Sequence, residues 1–122
     1  MWVHASEGQF LLHALAITYA RWGATAEVQQ NGLEQMQEFM SINVKRDLRW
    51  LEETLSKGSG RYIVGDSISL ADIMMGFSVD FIFTRKLGVQ DYAEFPKIKT
   101  WLDGLLARDA YKAAVEKTGF SL

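Results

Sequence analysis

His4 and Glu7 stand three residues apart in an opening stretch whose other members are apolar or small, Trp2-Val3-His4-Ala5-Ser6-Glu7-Gly8. At helical spacing they fall on one face, one turn apart, where an imidazole and a carboxylate can pair or hold one ligand between them. His13 is the second of the chain's 2 histidines. It points away from that face, so His4, Glu7 and His13 make a poor metal set. The chain has 0 cysteines, which removes thiolate ligands, disulfides and a cysteine nucleophile together. No nucleophile elbow or suitably placed histidine supports Ser/His/Asp catalysis. A second constellation, Ile68-Ser69-Leu70-Ala71-Asp72-Ile73, is structural. The Ser69 hydroxyl can accept from the Asp72 N–H while the Asp72 carboxylate reaches back to the Ser69 N–H, a capping box with Asp in place of Glu or Gln. Ile68 and Ile73 flank it as a hydrophobic staple. Loss of this cap by Asp72→Ala is expected to destabilise by about 1–2 kcal/mol or more.

The elements that must position these groups read as helices throughout. The first is expected from about Trp2 to Trp22 with Gly23 as its C-cap. Phe10, Leu11, Leu12, Leu15, Ile17 and Tyr19 surround it, so it should be buried on several sides. Leu11, Leu15 and Trp22 continue the His4–Glu7 face. The helix opens with no capping residue ahead of it, which is read as a sign of polypeptide upstream. After the Asn31–Gly32 break, Leu33, Met36, Met40, Val44, Leu48, Leu51 and Leu55 form one apolar stripe of a long helix to about Lys57. Lys45, Arg46 and Arg49 sit on its other face among Asp47, Glu52 and Glu53, read as a solvated surface with pairs such as Arg49–Glu53 rather than an anion site. Gly58-Ser59-Gly60 ends that helix. The helix from Ser69 to about Arg85 is apolar almost all round and should be the buried centre, with Gly76 marking a close helix–helix approach. Pro96 opens a helix at N1 whose buried stripe is Ile98, Trp101, Leu102, Leu105 and Leu106. Asp109 caps a last one, Ala110 to about Lys117, stopped by Gly119.

Composition agrees with an all-α fold of about five helices in a single domain, residues 1–122. A chain of 122 residues has room for one domain. Apolar residues are 48% and charged residues 23%, enough to bury a core. The single proline, where average usage of about 5% would give several, fits helix. A net charge of −2 speaks against nucleic-acid or membrane-surface binding. No basic flank precedes an apolar run as in a secretory signal. The most apolar stretches, Phe10–Ala20 and Ile73–Phe83, fall short of the ~20 residues that span a bilayer. The expected setting is cytoplasmic.

Three segments together resemble one family. Gly65-Asp66-Ser67-Ile68-Ser69-Leu70-Ala71-Asp72 is similar to the capping-box and staple segment of the cytosolic glutathione transferases. Phe95-Pro96-Lys97-Ile98-Lys99-Thr100-Trp101-Leu102 with Arg108-Asp109-Ala110-Tyr111 resembles their closing helices. Trp2-Val3-His4-Ala5-Ser6-Glu7-Gly8 resembles the first helix of their C-terminal domain, most of all in fungal members. The resemblance covers essentially the whole chain in order, and it implies the helical C-terminal domain without the thioredoxin-like domain that binds glutathione and activates its thiol. On that reading the full-length protein conjugates glutathione, its co-substrate, to small hydrophobic electrophiles as a homodimer. This chain supplies the co-substrate site and dimer interface, holds no tightly bound cofactor and is inactive alone. Glu7 would meet the ammonium of glutathione, with His4 beside it; the plainer reading of Glu7 is a first-turn acid favoured by the helix dipole, and of His4 a surface or interface histidine. Leu11, Leu15 and Trp22 would line the electrophile pocket with Phe120 from the tail, although apolar residues at this spacing are more often core. The alternative function is a non-catalytic assembly module of the same fold, as in elongation-factor or aminoacyl-tRNA synthetase complexes; a stand-alone ligand-binding remnant is a third. The upstream reading frame discriminates among them.

Overall fold

A computed structural model describes residues 1–58 and 61–120, and every regular element among them is helical. Ser59 and Gly60 of the expected Gly58-Ser59-Gly60 break lie outside the described residues, as do Ser121 and Leu122 of the tail.

The first helix is a rod in three parts: α1 (Trp2–Ala5), a π-helical turn (Ser6–Leu11) and α2 (Leu12–Gly23). Backbone angles at both junctions stay right-handed helical, so the rod is continuous, but the π turn changes the rotation of α2 relative to α1. Two expectations change here. Gly23 is the last helical residue rather than the cap, a role taken by Ala24 in extended conformation. The rod is also buried on one side only: Phe10, Ala14 and Ile17 are enclosed while Leu12 and Tyr19 face outward. A short helix, α3 (Ala26–Asn31), comes next, begun where the Thr25 side chain accepts from the Val28 N–H at 3.4 Å.

The long helix α4 (Leu33–Lys57) buries Val44, Leu48, Leu51 and Leu55 from the expected stripe, and leaves Met36 exposed. Trp2 stacks on Trp50 with ring centroids 4.1 Å apart, tying the start of the rod to α4. Two acids read as surface groups each hold another element in place. Asp47 is 1% exposed and turned toward the rod. Glu52 accepts from the Lys97 and Ile98 N–H groups, at 2.8 Å each, so a side chain of α4 caps the first turn of α6 (Pro96–Leu106). The ion pairs among the described residues are His13–Asp47 and Lys99–Asp103, not Arg49–Glu53.

Helix α5 (Leu70–Thr84) packs against the rod on one side and α6 on the other. Gly76 does mark a close approach: a Cβ there would lie 3.1 Å from Leu105 Cδ1. The helix is the buried centre expected, with Met75, Val79 and Ile82 enclosed, but one side stays open: Leu70 and Ile73 are each 60% exposed and Phe77 47%. These residues lie three and four apart, so an apolar stripe runs open along the helix. After α5 the chain turns through Lys86 (φ 51°) and Gly88 (φ 86°), and the Arg21 guanidinium clasps the turn by donating to the Arg85 and Lys86 carbonyls. The last helix, α7 (Asp109–Thr118), packs on α6 and buries no side chain; its N-cap is Arg108, one residue before the expected Asp109. Gly119 ends it in left-handed conformation, as its sequence position predicts.

Candidate functional site

The first candidate face is the π turn. A π turn leaves a carbonyl without its usual helical partner, and here the buried Ser78 hydroxyl of α5 donates to the Ser6 carbonyl at 3.0 Å. Ser6 in turn donates its hydroxyl to the Val3 carbonyl at 2.7 Å. From α4, Asp47 takes two polar groups of the rod. Its Oδ1 accepts from the Gln9 amide at 2.8 Å, and its Oδ2 lies 2.5 Å from His13 Nδ1. A buried carboxylate needs such partners to remain charged. With Nδ1 committed to Asp47, the second nitrogen of the half-exposed His13 ring is the one left for other chemistry. His4 and Glu7 are exposed, and neither hydrogen-bonds to the other. The turn therefore carries Glu7 on its outer side with its carboxylate unengaged by the rest of the described chain. Sequence reasoning missed Asp47, although its signal was present: it falls three residues after Val44 and directly before Leu48, inside the apolar stripe.

The four apolar candidates divide. Leu11 and Leu15 are partly buried on the rod, and Trp22 is 77% exposed, edge-to-face with Tyr19 at 5.8 Å. Phe120 packs instead against Phe77 at 6.2 Å and lines a separate cleft of about 410 Å³ between α5, α6 and α7. Its walls include Ile68, Ile73, Gly76, Phe77, Leu105 and Phe120, but not Leu11, Leu15 or Trp22. Two carboxylates also reach it, Asp72 and Asp80.

Asp72 belongs to the capping box, which is present as expected. Fully buried, it accepts from the Ser69 N–H at 2.9 Å and the Ser69 hydroxyl at 3.0 Å. It has further duties that spacing alone did not show. Its other oxygen accepts from the Ile63 N–H at 2.9 Å and from the Trp101 indole N–H at 3.0 Å. One carboxylate thus joins the loop before α5, the start of α5 and the middle of α6. Of the staple pair, Ile68 is half-buried and packs on the core, whereas Ile73 is open to the cleft.

Residues 11–109 match the family described as the glutathione S-transferase C-terminal domain. The chain belongs to that family. It is 33% identical over 81 residues to glutathione S-transferase 1 of Saccharomyces cerevisiae, an alignment covering 66% of this chain and 33% of that one. To the glutathione S-transferase-like protein OpS6 of Beauveria bassiana it is 32% identical over 115 residues, 91% of this chain and 49% of the relative. To glutathione S-transferase A of Pleuronectes platessa it is 28% identical over 116 residues, 93% and 48% respectively. The chain thus spans between about a third and a half of the length of these curated relatives. No solved structure matches it. As a glutathione S-transferase C-terminal domain, the matched stretch takes in Leu11, Leu15, Trp22, Asp47 and the Ser69–Asp72 box, while His4, Glu7 and Phe120 lie beyond its ends. Among the described residues no group of three or more His, Cys, Asp or Glu could hold a metal ion, and no helix is long and apolar enough to cross a membrane.

Proposed function

We propose that residues 1–122 form one domain, which supplies the electrophile-binding face and the dimer contact of a glutathione-conjugating enzyme and turns over nothing until joined to a domain that activates the glutathione thiol. Family membership over residues 11–109, in a chain about half the length of two of its transferase relatives, is the observation that carries this reading. Glu7 is exposed and unengaged on a turn held from behind by Ser78 and Asp47, so its carboxylate is free to accept from the ammonium of glutathione, with His4 one turn away. Leu11, Leu15 and Trp22 run along the rod from Glu7 and offer apolar surface to a small electrophile. In the full-length enzyme the glutathione thiol, its proton released to solvent on the activating domain, would attack as thiolate an electrophilic carbon such as that of an aryl halide: a C–S bond forms, the carbon–halogen bond breaks and halide leaves.

The contact for a second copy lies on the outer side of α2 and α4. His13 meets Asp47 and Arg21 meets Gln37, so the two helices run antiparallel and present their outer faces side by side. Those faces carry Leu12 and Tyr19 from α2 and Met36, Phe39 and Ile42 from α4, all exposed. An apolar patch rimmed by polar residues is the usual mark of a protein contact. Two measurements test the proposal. The chain alone should give no conjugation of glutathione with 1-chloro-2,4-dinitrobenzene, whereas a fusion to the glutathione-binding half of the yeast relative should turn over, with KM for glutathione raised in Glu7→Gln. Sedimentation should show a dimer that Phe39→Asp dissociates. Turnover by the chain alone, or a monomer at every concentration, overturns the corresponding half of the reading.

A further inference from the structure

The cleft between α5, α6 and α7 has the size of a small-ligand site and walls almost wholly apolar. Gly76 forms part of its wall with no side chain to fill it, and Ile73, Phe77, Leu105 and Phe120 enclose the space around. The two carboxylates on the wall differ in what they can still do. Asp72 has both oxygens occupied by four donors. Asp80, two turns further along α5, is half-buried, and only its Oδ1 is engaged, by the Thr84 hydroxyl at 3.2 Å. Among the described residues Oδ2 has no hydrogen-bond partner and no cation pairs with the group. Burial in these surroundings pushes its carboxyl above the ordinary value of 3.8, the response of a charge short of partners.

Among the described residues, the one cation on the cleft wall does not answer that need. Arg108 directs its guanidinium to the Tyr62 hydroxyl, 3.4 Å away, in the adjoining groove lined by Arg61, Tyr62 and Trp101. The aromatic groups point to the same ligand chemistry as the carboxylate. Phe77 stands between Phe81 at 6.4 Å and Phe120 at 6.2 Å, and ring faces attract a cation as well as an apolar body.

We propose that this cleft binds an amphiphilic monocation, an amine on a compact aromatic or aliphatic body, with its ammonium on Asp80 and its body against Ile73, Phe77, Leu105 and Phe120. The site stands apart from the electrophile face and does not depend on glutathione. Binding replaces the missing partner of Asp80 and covers Ile73 and Phe77 of the open stripe of α5 in one step, and the first of these favours a cation over a neutral molecule of the same shape.

Titration of the ¹⁵N-labelled chain with 1-naphthylmethylamine, 1-naphthylmethanol and 1-naphthoate tests this. The amine should bind about tenfold more tightly than the alcohol, as one charge-assisted hydrogen bond would give, and the carboxylate weakest of the three. Amide shifts should centre on Ile73, Phe77, Asp80, Leu105 and Ala110. Asp80→Asn should bring the amine to within about twofold of the alcohol, and Phe120→Ala should weaken amine and alcohol alike. Equal affinity of amine and alcohol for the unaltered chain overturns the proposal. So does tightest binding of the naphthoate, which would make Arg108 the recognising group, as does a shift pattern centred elsewhere or no binding by any of the three.

Discussion

Asp72→Ala removes more than a helix cap. The capping interaction with Ser69 alone is worth about 1 kcal/mol. The same carboxylate is also the acceptor for two buried donors, the Ile63 N–H and the Trp101 indole N–H. Each buried donor left without a partner costs about 1–3 kcal/mol. Taking both near the middle of that range and adding the cap, the substitution should cost about 4–5 kcal/mol, a large part of the 5–15 kcal/mol that typically holds a domain folded. Urea unfolding monitored by circular dichroism measures this directly, with Ser69→Ala as the control for the cap. The control should cost about 1 kcal/mol. Trp101→Phe removes one of the donors, so Asp72→Ala and Trp101→Phe combined should cost less than their separate effects by about 1 kcal/mol or more. An Asp72→Ala penalty no larger than that of Ser69→Ala, or strict additivity with Trp101→Phe, would refute the view that this carboxylate joins loop, α5 and α6.

Further perturbations act on the rod, two turns and one phenol. His13→Ala leaves the Asp47 carboxylate, 1% exposed, with Gln9 as its only partner among the described residues, and should cost about 2 kcal/mol given that the His13 side is partly open. Asp47→Asn, which removes the charge, should cost less in the same urea experiment, and the reverse order would show that the pair is not what needs balancing. Gly88→Ala should destabilise by about 2 kcal/mol, because φ is 86° and the new Cβ would lie 3.1 Å from Ser41 Cα. Gly65→Ala, with φ 69° but open space around it, should cost only about 1 kcal/mol by the same assay. Tyr92 should hold its proton to about pH 12 rather than 10.0, because burial, and then the charges of Asp80 and Asp103, disfavour the phenolate. The unfolded chain releases that proton first, so stability should fall as pH rises from about 10 toward 12, and Tyr92→Phe should remove this part of the alkaline loss. Tyrosinate absorbance of the folded chain reports the titration.

What was legible in the sequence was what is decided locally. The capping box, Pro96 at N1, Gly119 at a C-cap and the close approach at Gly76 each rest on neighbouring residues or on one glycine in an apolar helix, and each is present. The π turn was not legible because the partners it meets are distant in the chain. Ser78 takes the Ser6 carbonyl across 72 residues, and Asp47 holds Gln9 across 38. Periodicity read straight through the turn, since helical angles continue on both sides. Asp47 and Glu52 were misread for the same reason. A charged residue on an amphipathic helix looks solvated until the opposing element is known, and here those elements are the rod and the bare N-terminus of α6.

The open stripe of α5 escaped pattern reading for the same reason, and it changes what the apolar helix means. Hydrophobicity all round implies that every face is covered, yet the described chain covers Met75, Val79 and Ile82 and leaves Leu70, Ile73 and Phe77 open. A helix held only by hydrophobic contact would tend to roll and bury that stripe. Asp72 opposes the roll, because four hydrogen bonds from three segments fix both the approach of the chain and the rotation of the first turn, while Leu105 against Gly76 fixes the next. The stripe is therefore presented in a set orientation before anything binds it. The outer wall of the cleft is anchored differently: α7 buries no side chain of its own, and Phe120 stays partly exposed where it meets Phe77. A rigid floor with a weakly anchored wall admits a ligand at little conformational cost, since only α7 and Phe120 need adjust.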